Sequence, residues 1–97
     1  MIKVRDRRGG WTLDAEVFAY FGVRVGSVLY AAAVTRVVGE ERINVTFVDY
    51  GMRLCAVHVR DIERLGAQRA GFEAARFALT GKDPDIVNEA IAKWKRN

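Results

Sequence analysis

Residues 45–53 read Val45-Thr46-Phe47-Val48-Asp49-Tyr50-Gly51-Met52-Arg53, and this stretch decides the fold. Its first half, with the two residues before it, alternates β-branched and aromatic side chains, which is the pattern of a half-buried strand. Its second half predicts a tight turn, because Asp49 can bond to nearby backbone and Gly51 tolerates a positive φ. We therefore expect a β-hairpin whose tip carries the rings of Phe47 and Tyr50, where rings can form the wall of a pocket.

Further strands are predicted on both sides of this hairpin, and glycines mark several of the turns between them. The elements are a strand over Trp11–Phe21, a turn over Gly22–Gly26, a strand over Val28–Val38, a turn at Gly39–Glu41, a strand over Arg53–Val59 and one helical turn over Arg60–Leu65. The first of these strands is apolar on both faces, so it should be covered on both sides or end at a pocket. The regular spacing predicts a small, strongly bent antiparallel β-barrel over residues 11–66.

Positive charge is concentrated at the two ends of the 97-residue chain. The formal net charge is +4, and residues 1–10 and 91–97 contribute +3 each, so residues 11–90 carry −2. A slightly acidic body favours a cationic ligand over a phosphate backbone, although the basic tails could still bind RNA weakly. Residues 1–10 are predicted to be a mobile basic arm, and a hairpin that turns at Gly9-Gly10 is the less favoured interpretation.

The last part of the chain, residues 67–97, follows the predicted barrel. Residues 72–80 can be a helix, from their alanines, or a strand, from their alternating apolar residues, and periodicity leaves both open. Residues 84–94 predict an amphipathic helix, because Asp83 is a good N-cap, Pro84 suits the first helical position and apolar residues recur at helical spacing. The fold class is therefore mainly β with a C-terminal helix.

Composition argues against several classes of function. The apolar share of 51% supplies the core of one small domain. No stretch resembles a signal peptide and the longest apolar run is too short to span a bilayer, so we expect a soluble intracellular protein without a membrane partner. One cysteine, Cys55, and one histidine, His58, leave no basis for an internal disulfide, a metal site or a cofactor. Without a nucleophile–base pattern or a phosphate loop, an enzyme is not expected either.

Three motifs occur in order over residues 16–66. They are Leu29-Tyr30-Ala31-Ala32, Val45-x-Phe47-Val48-Asp49-Tyr50-Gly51 and Val59-x-Asp61-Ile62. This combination resembles the core of a Tudor domain. Behind it, Ala74, Phe77, Leu79-Thr80-Gly81 and Pro84 resemble the linker strand of extended Tudor domains, in which the barrel is fused to part of a staphylococcal-nuclease-like module. The resemblance implies an SH3-like barrel followed by a linker strand and one helix.

The same resemblance implies a role and a site. Extended Tudor domains are known chiefly as readers of methylated arginine in Piwi-type proteins of germ granules. The resemblance therefore implies a protein-interaction module of the piRNA pathway that binds an arginine-rich, methylated peptide. The implied location is the cytoplasm, with the nucleus as the alternative. The family's aromatic cage falls on Tyr30, Phe47 and Tyr50, with Phe21 as the fourth ring and Tyr20 as its alternative. Ring faces hold a dimethylguanidinium by cation–π attraction, about 0.5–2 kcal/mol per contact.

Met52 departs from the family pattern. Methylarginine readers usually carry an asparagine there, whose amide bonds to the guanidinium, whereas methionine offers no donor. The lost hydrogen bond corresponds to about 1.5–3 kcal/mol, or roughly one to two decades of affinity. Asp49 beside it either orients the cage or caps the turn. The alternative function is a cage-deficient scaffold that joins partners, or a second copy of the chain, through the barrel edge or the C-terminal helix.

Overall fold

The computed structural model describes residues 1–94 and shows five strands followed by three helices. The elements are β1 (Ile2–Val4), β2 (Leu13–Val25), β3 (Val28–Val37), β4 (Ile43–Phe47), β5 (Met52–Val57), α1 (Val59–Leu65), α2 (Ala67–Leu79) and α3 (Pro84–Trp94). The strands form one antiparallel sheet in chain order, and the sheet curls into a half-barrel. The predicted bent antiparallel sheet is confirmed, and the prediction of a single helix is wrong. None of the helices described is long and apolar enough to cross a membrane.

One face of the sheet packs against the helices. The register aligns Phe21, Ala32 and Phe47 across β2, β3 and β4, so these side chains share that face. Gly71 of α2 approaches it closely, since a Cβ added there would stand 2.4 Å from Cγ2 of Val34. The main hydrophobic core fills this interface with residues from four strands, α2 and α3.

The opposite face of the sheet is buried in its middle by the curvature of the sheet itself. Thr35 and Thr46 are fully buried there, and their hydroxyl groups share a hydrogen bond of 2.8 Å. Val4 of β1 packs with Ala15 and Val37 in a second, smaller core. The curvature of the half-barrel therefore buries the middle of β3 and β4 on both faces.

The prediction of a mobile arm over residues 1–10 is wrong. β1 pairs antiparallel with the start of β2, and backbone hydrogen bonds close the loop between them, as in the less favoured hairpin interpretation. Arg5 is only 3% exposed, and Lys3 forms an ion pair with Asp14 at 2.6 Å. Two of the arm's four cations are thus engaged within the fold, which weakens the case for RNA binding by this segment. Residues 95–97, part of the basic C-terminal end, lie outside the described residues.

The segment that the resemblance implies to be a linker strand is the helix α2, which is one of the two structures that periodicity left open. Its buried residues are Ala70, Gly71 and Ala75, which lie on one helical face. Phe77, whose place in the alternation suggested a strand, is 85% exposed. The sequence of this segment fits the periodicity of a helix and that of a strand. It forms the helix, which places small residues against the sheet.

β2 is longer and less covered than predicted. It continues through Gly22 to Val25, and the turn to β3 uses the positive φ of 61° at Gly26. Phe18 and Tyr20 are 45% and 55% exposed, so of the two alternatives for this strand, coverage on both sides is wrong.

Predictions that rest on local signals are confirmed. β3 and β4 lie where alternation placed them, and α3 begins at Pro84. The Asp83 carboxylate accepts a hydrogen bond from the Asp85 N–H at 2.9 Å, as expected of an N-cap. β5 ends at Val57, earlier than predicted, because His58 caps α1 and directs the chain away from the sheet.

Candidate functional site

The turn behind β4 is held by residues from the N-terminal hairpin. Gly51 adopts a φ of 64°, and its N–H bonds to the Phe47 carbonyl at 2.9 Å. The Arg5 N–H donates to the Gly51 carbonyl at 2.9 Å, and its Nε donates to the Tyr50 carbonyl at 2.6 Å. The Trp11 ring lies against Gly51, with the Arg5 guanidinium carbon 4.5 Å from a ring centroid. A guanidinium and an indole from outside the hairpin therefore fix its tip.

Arg5 is buried although it carries a charge. Backbone carbonyl oxygens and the face of Trp11 take the place of water around its guanidinium. Sequence reasoning placed Arg5 in a mobile arm and so missed its role. The available signal was the alternation Ile2-Lys3-Val4 directly before it, which is typical of a strand.

Three of the four predicted cage rings lie together. The ring centroids of Tyr30 and Phe47 are 5.2 Å apart, and those of Tyr30 and Tyr50 are 5.9 Å apart. The fourth ring, Phe21, packs edge-on against Phe72 of α2, with centroids 6.4 Å apart. We call Tyr30, Phe47 and Tyr50 the aromatic cluster.

The aromatic cluster is closed in this structure. Phe47 has no exposed surface and Tyr30 is 8% exposed, because both face the helix-covered core. The Tyr30 hydroxyl donates to Oδ1 of Asn88 on α3, whose Nδ2 donates to the Val25 carbonyl at 3.2 Å. Burial first, and then the neighbouring Tyr50, raises the pKa of the Tyr30 hydroxyl above its ordinary value. α3 thus covers the tip of Tyr30.

Asp49 and Met52 lie at opposite ends of the turn. The Asp49 side chain is exposed and makes no hydrogen bond with the described residues, so it does not cap the turn. Met52 is half-buried and pairs with Phe47 in the register, which places it beside the aromatic cluster. Met52 therefore lies next to the rings.

A second candidate site is a polar cleft of about 460 Å³ at the β4–β5 edge of the sheet. We call it the basic cleft, and its charged or amide side chains are Arg7, Glu40, Arg42, Asn44 and Arg53. Asn44 is 5% exposed, and its Nδ2 has no hydrogen-bond partner among the described residues. An unpaired buried amide costs roughly 1–3 kcal/mol, so a purely structural role explains it poorly. Sequence reasoning treated Asn44 only as a strand residue.

Asp6 shapes the loop that brings Arg7 to the basic cleft. Its carboxylate accepts hydrogen bonds from the Thr12 hydroxyl at 2.7 Å and from the N–H groups of Arg8 and Gly10 at 2.8 and 3.0 Å. These bonds, that from Thr12 first, lower the pKa of the Asp6 carboxyl from its ordinary 3.8.

We expect Asp6→Asn to lower the midpoint of thermal unfolding at neutral pH and to lose this effect in acid. Because the pKa of Asp6 is lower in the folded than in the unfolded state, its stabilisation is present above the ordinary pKa of 3.8 and disappears as the pH falls through the lowered value. Thermal unfolding of both proteins from about pH 7 to about pH 2 checks this. A midpoint difference that persists unchanged in acid would contradict it.

A third candidate site is a cavity of about 620 Å³ between β5 and the helices α1 and α2. Cys55, His58 and the exposed Phe77 line it. Burial raises the pKa of the Cys55 thiol, which keeps it protonated and a poor nucleophile near neutral pH. Over residues 1–94, no three His, Cys, Asp or Glu side chains are grouped so that they could hold a metal ion.

Comparison of the chain with models of known families, with curated proteins and with solved structures gives no significant match. The structure is a small curled antiparallel sheet that is covered by helices and carries aromatic residues at one end. The resemblance to Tudor domains rests on the motifs of residues 16–66 and stays a prediction.

Proposed function

We propose that this chain is a non-catalytic protein-interaction module of the Tudor type that binds an arginine-rich peptide of a partner protein. The observation that carries the proposal is the convergence of Tyr30, Phe47 and Tyr50, whose ring centroids are 5.2 and 5.9 Å apart. Such rings recognise a methylated guanidinium by cation–π attraction. The ligand is then symmetric dimethylarginine, and cytoplasmic germ granules are the location that the resemblance implies.

The closed aromatic cluster sets a condition for this binding. Phe47 is inaccessible and the Tyr30 hydroxyl is hydrogen-bonded to Asn88, which leaves Tyr50 as the partly exposed ring of the cluster. A guanidinium contacts all three rings only after the covering helices move. Ligand binding must therefore replace the hydrogen bond between Tyr30 and Asn88. The apparent affinity is then the intrinsic affinity multiplied by the fraction of molecules in which the aromatic cluster is open.

A peptide that contains symmetric dimethylarginine is expected to shift the amide resonances around Tyr50 in a ¹⁵N NMR titration, and the unmodified peptide is expected to shift them less. Met52→Asn should strengthen binding of the methylated peptide by roughly tenfold to a hundredfold, since its amide supplies a hydrogen bond to a charged group. Tyr50→Ala should abolish binding. Tyr20→Ala is the control, because that ring is 55% exposed and lies outside the aromatic cluster.

A second candidate function is scaffolding that does not depend on methylation and that joins a partner or a second copy of the chain. Its support is the burial of Phe47 and Tyr30, together with Phe77, which is 85% exposed in the cavity beside the edge strand β5. Unpaired edge strands and exposed apolar side chains are typical of such contacts. Equal shifts from both peptides would favour this function. No response to either peptide would contradict the first candidate, and a monomer in light scattering with no partner in a pull-down would contradict the second.

A further inference from the structure

The basic cleft holds a buried hydrogen-bond donor that has no acceptor within residues 1–94. Asn44 pairs with Thr35 in the sheet register, and this places its side chain on the face away from α2. The side chain is 5% exposed and lines the cleft, and its Nδ2 is unpaired. Buried amide groups in native proteins nearly always have a partner. The unpaired Nδ2 therefore indicates a ligand that brings an acceptor.

Three arginines line the same cleft as this donor. Arg7 comes from the loop after β1, Arg42 directly precedes β4, and Arg53 lies on β5. Arg53 forms an ion pair with Glu40 at 3.2 Å, whereas the side chains of Arg7 and Arg42 make no ion pair or hydrogen bond with the described residues. The four charged side chains have a formal net charge of +2. The cleft therefore attracts anions and repels the cationic peptide proposed for the aromatic cluster.

We propose that the basic cleft binds the phosphate group of a phosphorylated ligand. The Asn44 amide and the guanidinium groups of Arg7 and Arg42 donate to the phosphate oxygens, and Glu40 holds Arg53 at the rim. Guanidinium groups match the geometry of phosphate, and the net charge of +2 is balanced by one phosphate monoester dianion or by two singly charged backbone phosphodiester groups.

The size and lining of the cleft restrict the ligand further. A volume of about 460 Å³ is typical of a small-molecule site. No aromatic side chain of residues 1–94 lines it, so a nucleobase would find no ring on which to stack. The phosphate group itself is therefore what the cleft recognises, whether a small molecule or a nucleic-acid backbone supplies it.

Titrations of the full chain at constant ionic strength test the proposal with three probes: inorganic phosphate, pyrophosphate and a short single-stranded oligouridylate. Pyrophosphate is expected to shift the side-chain NH₂ resonances of Asn44 in ¹⁵N NMR spectra. Arg42→Gln should weaken its binding by roughly tenfold to a hundredfold, because a charged hydrogen bond is lost. If oligouridylate shifts the same resonances at lower concentration than pyrophosphate, the proposal holds and a nucleic-acid backbone is the source of the phosphate.

Two further variants separate a binding site from general charge and from a structural role. Arg69→Gln removes the same charge from the exposed side of α2 and should leave pyrophosphate binding unchanged. Asn44→Leu replaces the donor with an apolar side chain that branches at the same carbon, so it should weaken binding while raising the midpoint of thermal unfolding. The proposal is overturned if no probe shifts the Asn44 resonances, or if Arg42→Gln and Arg69→Gln weaken binding equally.

Discussion

Gly71→Val in α2 is expected to lower the free energy of unfolding by about 1–3 kcal/mol. A Cβ at this position would lie 2.4 Å from Cγ2 of Val34 and 2.8 Å from Cε1 of Phe21. Val34 is fully buried in β3 and has no space to move aside. The helix must then shift off the sheet or the core must repack, and either change loses close contacts. Urea denaturation measures the loss.

Arg69→Val in the same helix is the control for this substitution. Arg69 is exposed, so a valine there meets no core side chain and should change the free energy of unfolding by less than about 0.5 kcal/mol. The difference between the two variants isolates the contact between α2 and the sheet. If Gly71→Val destabilised the protein no more than Arg69→Val, the close approach of Gly71 would be refuted, because valine is a better helix former than glycine and a poorer one than arginine.

The parts of the fold that sequence predicts correctly have local signals. The turn behind β4 needs a residue that adopts a positive φ, and Gly51 supplies it at 64°. α3 needs a cap, and the Asp83 carboxylate accepts the hydrogen bond from the Asp85 N–H. Both signals are complete within a few residues, so no knowledge of the rest of the fold is required.

The parts that sequence misses depend on partners far away in the chain. The alanines of α2 fit a helix or a strand, and the packing of Gly71 against Val34 decides between them. Arg5 counts as part of a basic tail until its contacts with the Tyr50 carbonyl and the Trp11 ring are known. Neither the contact of α2 with the sheet nor the contacts of Arg5 can be derived from composition or periodicity.

For the candidate site, sequence predicts which rings are neighbours but not how exposed they are. Tyr30, Phe47 and Tyr50 lie together, whereas Phe21 packs on α2. Whether a ring forms a pocket wall or core depends on the elements that cover it, and here they are α2 and α3. The unpaired amide of Asn44 is hidden for the same reason, since a strand pattern gives the face of a residue and not its partners.

Gly51→Ala is expected to cost about 2–5 kcal/mol of the free energy of unfolding, from two separate causes. An alanine at a φ of 64° is strained by about 1–2 kcal/mol. A Cβ would in addition stand 2.4 Å from Cζ3 of Trp11, and such overpacking typically costs about 1–3 kcal/mol. Denaturant unfolding of the variant gives the total.

Trp11→Ala separates these two causes. In that background Gly51→Ala retains only the backbone strain, so its cost should fall to about 1–2 kcal/mol. The difference between the two costs is the coupling of the N-terminal hairpin to the turn. Equal costs in both backgrounds would show that the ring does not pack on the turn. Because Arg5 bonds to the Gly51 and Tyr50 carbonyls beside the same ring, a measured coupling makes residues 1–11 a structural part of the site at the tip of the hairpin.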